Sequence, residues 1–240
     1  MILLWVVLHW YVSIFFQTFF LHRYASHSMF SMSKAWERFF FIATWLGQGS
    51  SYLNARVYAV MHRLHHKHSD RKKDPHSPYY YTNVITMMLK TYKMYKDLLT
   101  GKVEEKQLEA NVPRWDRFEK FADNNFVRAS FVVVYALPYL FYAPSLWYLV
   151  LLPVHGLMGP IHGAIVNWCG HKYGYRNYQL DDRSKNTTPF DFITLGELMQ
   201  NNHHQFPNRR CFATRWFEVD LGYLFICLLE KLRIISFPAR

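Results

Sequence analysis

The sequence predicts an all-α integral membrane protein in which an aqueous helical cap is joined to a small number of spanning helices. Two observations predict the spans: residues 1–22 and 129–171 contain no Lys, Arg, Asp or Glu, although 19% of the 240 residues are charged. A separate observation, which bears on function, is an excess of histidines: there are 13, and most of them are clustered. The hydrophobic fraction of 51% excludes a disordered chain.

Residues 1–21 are the first predicted span, because at about 1.5 Å per residue they can cross a hydrocarbon core of about 30 Å. The second uncharged block is too long for one helix and is interrupted at 143–145 by Ala-Pro-Ser. It therefore predicts a helical hairpin over 127–142 and 146–168. Residues 36–56 are apolar but end in a Gly- and Ser-rich run, which predicts a re-entrant or interfacial helix.

The rest of the chain, 57–126 and 169–240, predicts a helical cap within one domain of 240 residues. In the cap, residues 82–99 read as a basic amphipathic helix suited to a lipid surface, and the apolar run 221–229 is too short to span. All basic residues lie outside the two uncharged blocks, which is the positive-inside pattern and predicts a multi-pass protein with a cytosolic cap.

Composition also excludes several classes of protein. The net charge of +11 could indicate a nucleic-acid partner, but such a partner would require a basic face on a soluble fold, and residues 70–74 mix both signs, so we expect no nucleic acid. Three cysteines, Cys169, Cys211 and Cys227, without a C-x-x-C pair argue against a disulfide framework or a zinc ribbon.

Four polar groups lie where apolar blocks end or within the cap. On a helix, the H-x-x-H-H spacing of the second group places three imidazoles within an arc of about 100°, and residues four apart share a face. The first pair, five apart, stands about 140° apart on an ideal helix, which suits a frayed helix end or two ligands reaching different metals. The groups are His22 with His27; His62, His65 and His66; Asn167 with His171; and Gln200, His203 and His204.

Eight histidines on one predicted side of the membrane, with almost no cysteine, predict a metal centre. Eight imidazoles and two amides exceed the needs of one zinc ion and fit two metals with open positions. A single site requires 36–56 not to cross the membrane, since a crossing would separate the first two groups. Iron is the natural metal if the chemistry uses oxygen, and the aromatic segments above the site point to a long apolar substrate.

In order, these groups and their flanks resemble the histidine boxes of membrane fatty acid desaturases, of the acyl-CoA delta-9 type. The resemblance runs from about residue 10 to about 225 and implies a di-iron centre that uses O2 to insert a cis double bond into a long-chain acyl substrate, in the acyl-CoA form or as a lipid. It implies that eight histidines are metal ligands, that Asn167 acts through water and that Gln200 is a further candidate. The histidines are His22, His27, His62, His65, His66, His171, His203 and His204.

The resemblance also implies partners. Each turnover needs two electrons. The chain has neither the His-Pro-Gly-Gly signature of a fused cytochrome b5 nor the G-x-G-x-x-G fingerprint of nucleotide binding. We therefore expect a separate cytochrome b5-like or ferredoxin-like donor with its reductase, and membrane lipid as a further partner. The basic face suits an acidic donor or the phosphates of CoA. Gln200 departs from the subfamily, which has histidine there; Gln-x-x-His-His is typical of front-end desaturases. The chain also begins directly with the helix that enters the first box, where longer relatives have a preceding helix.

Two other functions compete with this interpretation. A membrane fatty acyl or lipid hydroxylase uses the same kind of histidine boxes and differs in its product. A metal transporter would place ionisable residues at mid-span, yet the uncharged blocks hold no carboxylate. The remaining histidines predict structural roles: helix packing for His9, His155 and His162, and loop polar groups for His68 and His76.

Overall fold

The structure is a computed structural model that describes residues 1–237. Its regular structure is almost entirely helical, as the sequence predicts; β1 (Ser31–Met32) and β2 (Ile235–Ser236) form only a short antiparallel pair. The α-helices of the described residues are α1 (Ile2–Phe16), α2 (Lys34–Gln48), α3 (Ala55–His68), α4 (Val84–Leu99), α5 (Asp116–Ala122), α6 (Asn125–Tyr142), α7 (Leu152–Lys172), α8 (Gln200–Gln205) and α9 (Leu221–Lys231).

Three helices within the described residues are long and apolar enough to cross a membrane: Ile2–Ser26, Asn125–Tyr142 and Leu146–Lys172. They correspond to the three predicted spans. The break between the last two falls at Ala143, whose extended backbone ends α6. The third helix begins with the 3₁₀ turn Leu146–Leu151 before α7. Helix α2 has 15 residues, and it buries one face while its other face carries exposed aromatic and aliphatic side chains.

Polar residues fix where five of the α-helices begin. A side-chain oxygen before the first turn accepts a hydrogen bond from a backbone N–H that has no partner within the helix. This arrangement opens α2, α3, α4, α6 and α9, where the accepting residues are Ser33, Asn54, Asn83, Asn124 and Asp220.

The first span changes its hydrogen-bonding pattern before it reaches the cap. Helix α1 continues without a break into a π-helix over Gln17–Ser26, and the backbone N–H of His27 donates to the carbonyl of His22 at 3.2 Å. A ladder of i→i+5 bonds aligns residues five apart, as an α-helix aligns residues four apart. The angle of about 140° between His22 and His27 applies to an ideal α-helix and does not describe this segment.

An aromatic core and a polar cluster position the spans, and a separate apolar core packs α3 against α4. In the aromatic core, Phe19 and Phe20 of the π-helix pack with Phe30, Phe40 and Phe41, and all five are buried. It fixes the π-helix against α2 and α3, and so positions the end of the first span.

The polar cluster joins the spans. The hydroxyl of Tyr139 on α6 lies 2.8 Å from His155 Nε2 on α7, and His155 Nδ1 lies 2.7 Å from His9 Nδ1 on α1. The Nε2 atom of His9 lies 3.1 Å from the carbonyl oxygen of Gly47 at the end of α2. The predicted helix-packing role of His9 and His155 is confirmed.

Candidate metal centre

The four predicted groups converge at the cap end of the spans. The end of the π-helix, α3 and α8 bring four histidines together, with one nitrogen of each ring within 4.8 Å of the others: His22, His27, His62 and His203. His66 joins them, since its Nε2 lies 2.9 Å from that of His62 and 3.0 Å from that of His203. We call these the five-histidine group: His22, His27, His62, His66 and His203.

The five-histidine group presents ring nitrogens to one another. His27 Nε2 lies 2.7 Å from His62 Nε2, and His22 Nε2 lies 3.1 Å from His203 Nε2. Burial, reinforced by the neighbouring imidazoles, holds the pKa values of His62, His66 and His203 well below the usual 6.5. Neutral imidazoles have a free ring lone pair, which is the form that binds a metal.

The remaining three predicted ligands form a second cluster. His65, His171 and His204 also have ring nitrogens within 4.8 Å of one another, and we call them the three-histidine group. Each is held at Nδ1 by its own carboxylate: His65 by Asp74 at 2.9 Å, His171 by Asp70 at 2.8 Å and His204 by Asp182 at 2.7 Å.

The pair His65 and His204 tests whether these residues fit a metal. A carboxylate accepts a hydrogen bond, so Nδ1 of each ring carries the proton and a neutral ring has its lone pair at Nε2. The two Nε2 atoms lie 3.2 Å apart, and two facing lone pairs repel unless a cation lies between them. Two nitrogens bound about 2.0–2.1 Å from one metal ion are separated by about 3.0–3.4 Å. The geometry fits a bound metal.

The electrostatic surroundings of this pair agree with the need for positive charge between the rings. Burial lowers the pKa of His65, but the Asp74 carboxylate outweighs it and holds that pKa above the usual 6.5. Burial lowers the pKa of His204 to about 4. In the third ring, His171 Nε2 is buried and has no hydrogen-bond partner among residues 1–237. A metal ion would supply the charge and the partner together.

Comparison with known proteins identifies this arrangement. A model of the fatty acid desaturase family matches residues 1–218. The chain belongs to the fatty acid desaturase family. This finding confirms the resemblance stated above, and it supports an oxidoreductase that acts in lipid metabolism.

Characterised relatives of this desaturase differ in their substrates. The chain is 28% identical over 232 residues, 90% of its length and 66% of the relative's, to sn-1 stearoyl-lipid 9-desaturase of Synechocystis sp.. It is 27% identical over 228 residues, 93% of its length and 69% of the relative's, to acyl-CoA C20 Delta5-desaturase of Anemone leveillei. It is 25% identical over 248 residues, 94% of its length and 73% of the relative's, to hex-5-enoyl-[acyl-carrier protein] acetylenase of Moorena producens.

A fourth carboxylate belongs to the desaturase site. The Glu197 carboxylate contacts Nδ1 of His22 and accepts a hydrogen bond from the hydroxyl of Thr18, and the Arg23 guanidinium lies 3.8 Å from it. Burial raises the pKa of the Glu197 carboxyl. Within the described residues, Glu197 is therefore the only carboxylate that contacts the five-histidine group. It is buried, and the Arg23 guanidinium lies beside it.

None of these four carboxylates was predicted as a site residue. Asp70 and Asp74 follow His66 by four and eight residues, in a run that the sequence analysis treated only as a mixture of charges. The signal that could have identified them is their place inside a stretch that matches the family. Carboxylates that orient metal-binding histidines commonly lie close to them in the fold.

The two predicted amide residues lie beside the three-histidine group. Asn167 is one turn before His171 on α7, and its Nδ2 donates to the Gly163 carbonyl at 2.8 Å. Gln200 is buried on α8, and its Nε2 donates to the Glu197 carbonyl at 2.7 Å. Their binding to a metal, through water for Asn167, stays a prediction.

His76 lies in a loop, as expected, but it is buried rather than exposed. Its ring centroid is 4.7 Å from that of His65, and neither ring nitrogen has a hydrogen-bond partner within residues 1–237. Its backbone N–H donates to Asp74 at 3.0 Å. His76 therefore packs behind the ring of His65, on the side of that ring's carboxylate.

Proposed function

We propose that this desaturase introduces a cis double bond into a long-chain fatty acyl substrate at a di-iron centre. The observation that carries the proposal is the convergence of eight predicted ligands in two adjoining groups, with four of the imidazoles held by carboxylates. The reaction balances as CH2–CH2 plus O2, two electrons and two protons, giving CH=CH and two water molecules. No side chain can oxidise an unactivated methylene pair, so iron, when bound, supplies the activation of O2.

Each histidine group would hold one of the two irons. The five-histidine group would hold one iron with neutral imidazoles alone. The three-histidine group would hold the other, with Asn167 through water and Gln200 as candidates for the positions that imidazole leaves open. The carboxylates orient the rings and increase their basicity. The ring of Phe212 lies 4.6 Å from that of His203 and helps to exclude water from the five-histidine group.

The resemblance to the delta-9 subfamily favours acyl-CoA as the substrate form. The relatives carry the names of lipid, acyl-CoA and acyl-carrier-protein enzymes, and those names describe those proteins. An assay that offers stearoyl-CoA, stearoyl-acyl carrier protein and a stearoyl phospholipid at equal concentration tests this part of the proposal. We expect the highest turnover with stearoyl-CoA.

The decisive experiment is lipid profiling of a host that expresses the chain, with His203→Ala as the inactive control. A new cis-monounsaturated acyl species, absent in the control, is the expected result. A hydroxylated species instead would move the function to the hydroxylase alternative. Metal analysis of the active protein should find about two irons per chain, and zinc alone in active protein would contradict the di-iron centre.

We also propose that the chain is a single multi-pass domain with its cap in the cytosol, because the basic residues lie outside the spans. Ser145 at the hairpin turn and Lys73 in the cap are both exposed. Single cysteines at these positions, in a background with the three native cysteines replaced by serine, should react with an impermeant maleimide from opposite sides. Labelling from the same side would contradict the hairpin.

A further inference from the structure

The segment between α7 and α8 has an apolar tip that faces outward. Residues 187–199 form no helix. Within them the side chains of Phe190, Phe192 and Ile193 are 51%, 55% and 58% exposed. We call residues 189–194 the apolar loop. In an aqueous cap this tip would present three large apolar side chains to water, so its position relative to the spans decides what covers it.

The depth of the apolar loop follows from its contact with the first span. Helix α6 has 18 residues and is about 27 Å long, close to the thickness of a hydrocarbon core. Tyr135 comes ten residues after Asn125, the first residue of α6, and so lies about 15 Å along the helix, near the middle of that core. The ring of His9 lies 4.9 Å from the ring of Tyr135, which places the next residue, Trp10, near the middle as well. Nε1 of Trp10 donates to the Ile193 carbonyl at 2.9 Å. The apolar loop therefore lies at the depth of the hydrocarbon layer, below the headgroups.

The backbone of the apolar loop is closed in the way that this depth requires. A hydrocarbon layer has no water to satisfy backbone N–H and carbonyl groups, so the protein must supply their partners. The buried carboxylate of Asp191 accepts hydrogen bonds of 2.8–3.0 Å from three backbone N–H groups, those of Thr194, Gly196 and Leu198. The indole of the first span donates to the carbonyl at the tip. The apolar loop thus turns its acidic side chain inward and its apolar side chains outward.

Helix α9 extends this outward surface. A backbone hydrogen bond of 3.1 Å joins its first turn to the residue that follows the apolar loop. The side chains of Leu224, Phe225 and Leu228 are exposed on one face of α9. The ring of Phe225 lies 5.4 Å from the ring of Phe15 on the first span. Two elements of the predicted cap, the apolar loop and α9, therefore form one apolar surface against the first span.

We propose that the apolar loop is inserted among the acyl chains of the bilayer, where Trp10 holds it, and that the exposed face of α9 lies beside it. Lipid acyl chains are the occupant of this surface, because the surface lies at the depth of the hydrocarbon layer and continues the exposed apolar side of α1. The inference rests on the proposed placement of the spans in the membrane and not on the metal chemistry. Insertion would also fix the depth of Glu197, which follows the apolar loop by three residues and contacts His22.

Fluorescence quenching in a bilayer measures this depth. A bimane label is attached to Phe192→Cys, in the background with the three native cysteines replaced by serine. The full chain is placed in phosphatidylcholine vesicles whose lipids carry a nitroxide either at the headgroup or near the middle of an acyl chain. Two controls carry the same label: Val133→Cys, exposed on α6 near the middle of the core, and Asp181→Cys, exposed in the same segment between α7 and α8.

We expect the label at Phe192 to behave like the label at Val133. The mid-chain nitroxide should quench both at least about twofold more strongly than the headgroup nitroxide, with little quenching by either at Asp181. Equal reactivity of Phe192→Cys and Asp181→Cys toward an impermeant maleimide would overturn the proposal. So would a shielded label at Phe192 that neither nitroxide quenches, since protein, such as a second copy of the chain, would then cover the loop. Absence of quenching at Val133 as well would contradict the proposed placement of the spans instead.

Replacement of Trp10 tests the anchor. Trp10→Phe removes the N–H group that donates to the Ile193 carbonyl. Trp5→Phe on the same helix is the matched control, because Nε1 of Trp5 has no hydrogen-bond partner within residues 1–237. We expect the ratio of mid-chain to headgroup quenching at Phe192 to fall by about half in Trp10→Phe, since a carbonyl without a partner is drawn toward the headgroups, and to stay unchanged in Trp5→Phe. The same ratio in both variants would contradict the anchoring by Trp10.

Discussion

The two histidine groups hold their rings in different ways. In the five-histidine group the imidazoles are numerous and neutral, and one carboxylate, on His22, supports them among the described residues. In the three-histidine group the imidazoles are few, and each has a carboxylate of its own. The first group offers many rings, and the second offers few rings in fixed orientations.

The difference has a chemical consequence. A six-coordinate metal held by five imidazoles keeps one open position, whereas one held by three keeps up to three. Water, O2 or an amide can exchange only at open positions. With iron bound as proposed, the three-histidine group would therefore be the side at which exchangeable ligands enter, with three aspartates to orient its imidazoles.

The largest effect should follow from removing a ligand of the five-histidine group. In His203→Ala, two ring contacts near 3 Å, to His22 and His66, disappear together. We expect activity at the background level and a loss of at least one iron per chain, measured by product analysis and metal analysis. His68→Ala, at the end of α3 and outside both groups, is the control and should keep iron and activity. Two irons retained in His203→Ala would show that this ring is not a ligand.

A smaller effect should follow from removing the carboxylate that orients one ring of the three-histidine group. Asp182→Asn keeps the size of the side chain but removes the carboxylate that accepts from His204. We expect the affinity for the second iron alone to fall by about 10–100-fold, measured by competition with a chelator. The exposed neighbour Asp181→Asn is the matched control. Equal loss of both irons would contradict the separation of the two groups.

Gln200 tests whether the three-histidine group has a fourth protein ligand. An amide oxygen binds metal more weakly than imidazole, so Gln200→Ala should lower activity markedly, by up to about tenfold, and Gln200→His should retain it. Iron content and turnover measure both variants. Full activity and full iron content in Gln200→Ala would identify the side chain as a bystander.

The smallest effect should come from the residue that packs against Gln200. A Cβ added at Gly170 would lie 2.4 Å from Cγ of Gln200, so Gly170→Ala must displace that side chain. We expect a loss of turnover smaller than that of Gln200→Ala, since the amide can shift without being removed. Gly163→Ala on the same helix, where the nearest atom is 4.0 Å away, is the control. A larger loss in Gly170→Ala than in Gln200→Ala would point to distortion of α7.

Spacing and charge segregation alone predict the helical class, the spans and the convergence of the boxes, because each of these follows from periodicity. They do not predict how the imidazoles divide between two groups. His65 and His66 are adjacent in sequence but belong to different groups, since neighbours on a helix point about 100° apart. Asp70 and Asp182 could not be assigned either, because a carboxylate of a loop shows its direction only once the loop is folded.

The π-helix limits how the length of the first span can change. One residue inserted into an α-helix rotates everything after it by about 100°, which usually separates side chains that must meet. Over Gln17–Ser26 the i→i+5 ladder absorbs such an insertion, and His22 and His27 meet in one group because of it. The H-x4-H spacing thus depends on the π-helix, and a change of one residue in the length of this segment would redirect a ring as surely as replacing it.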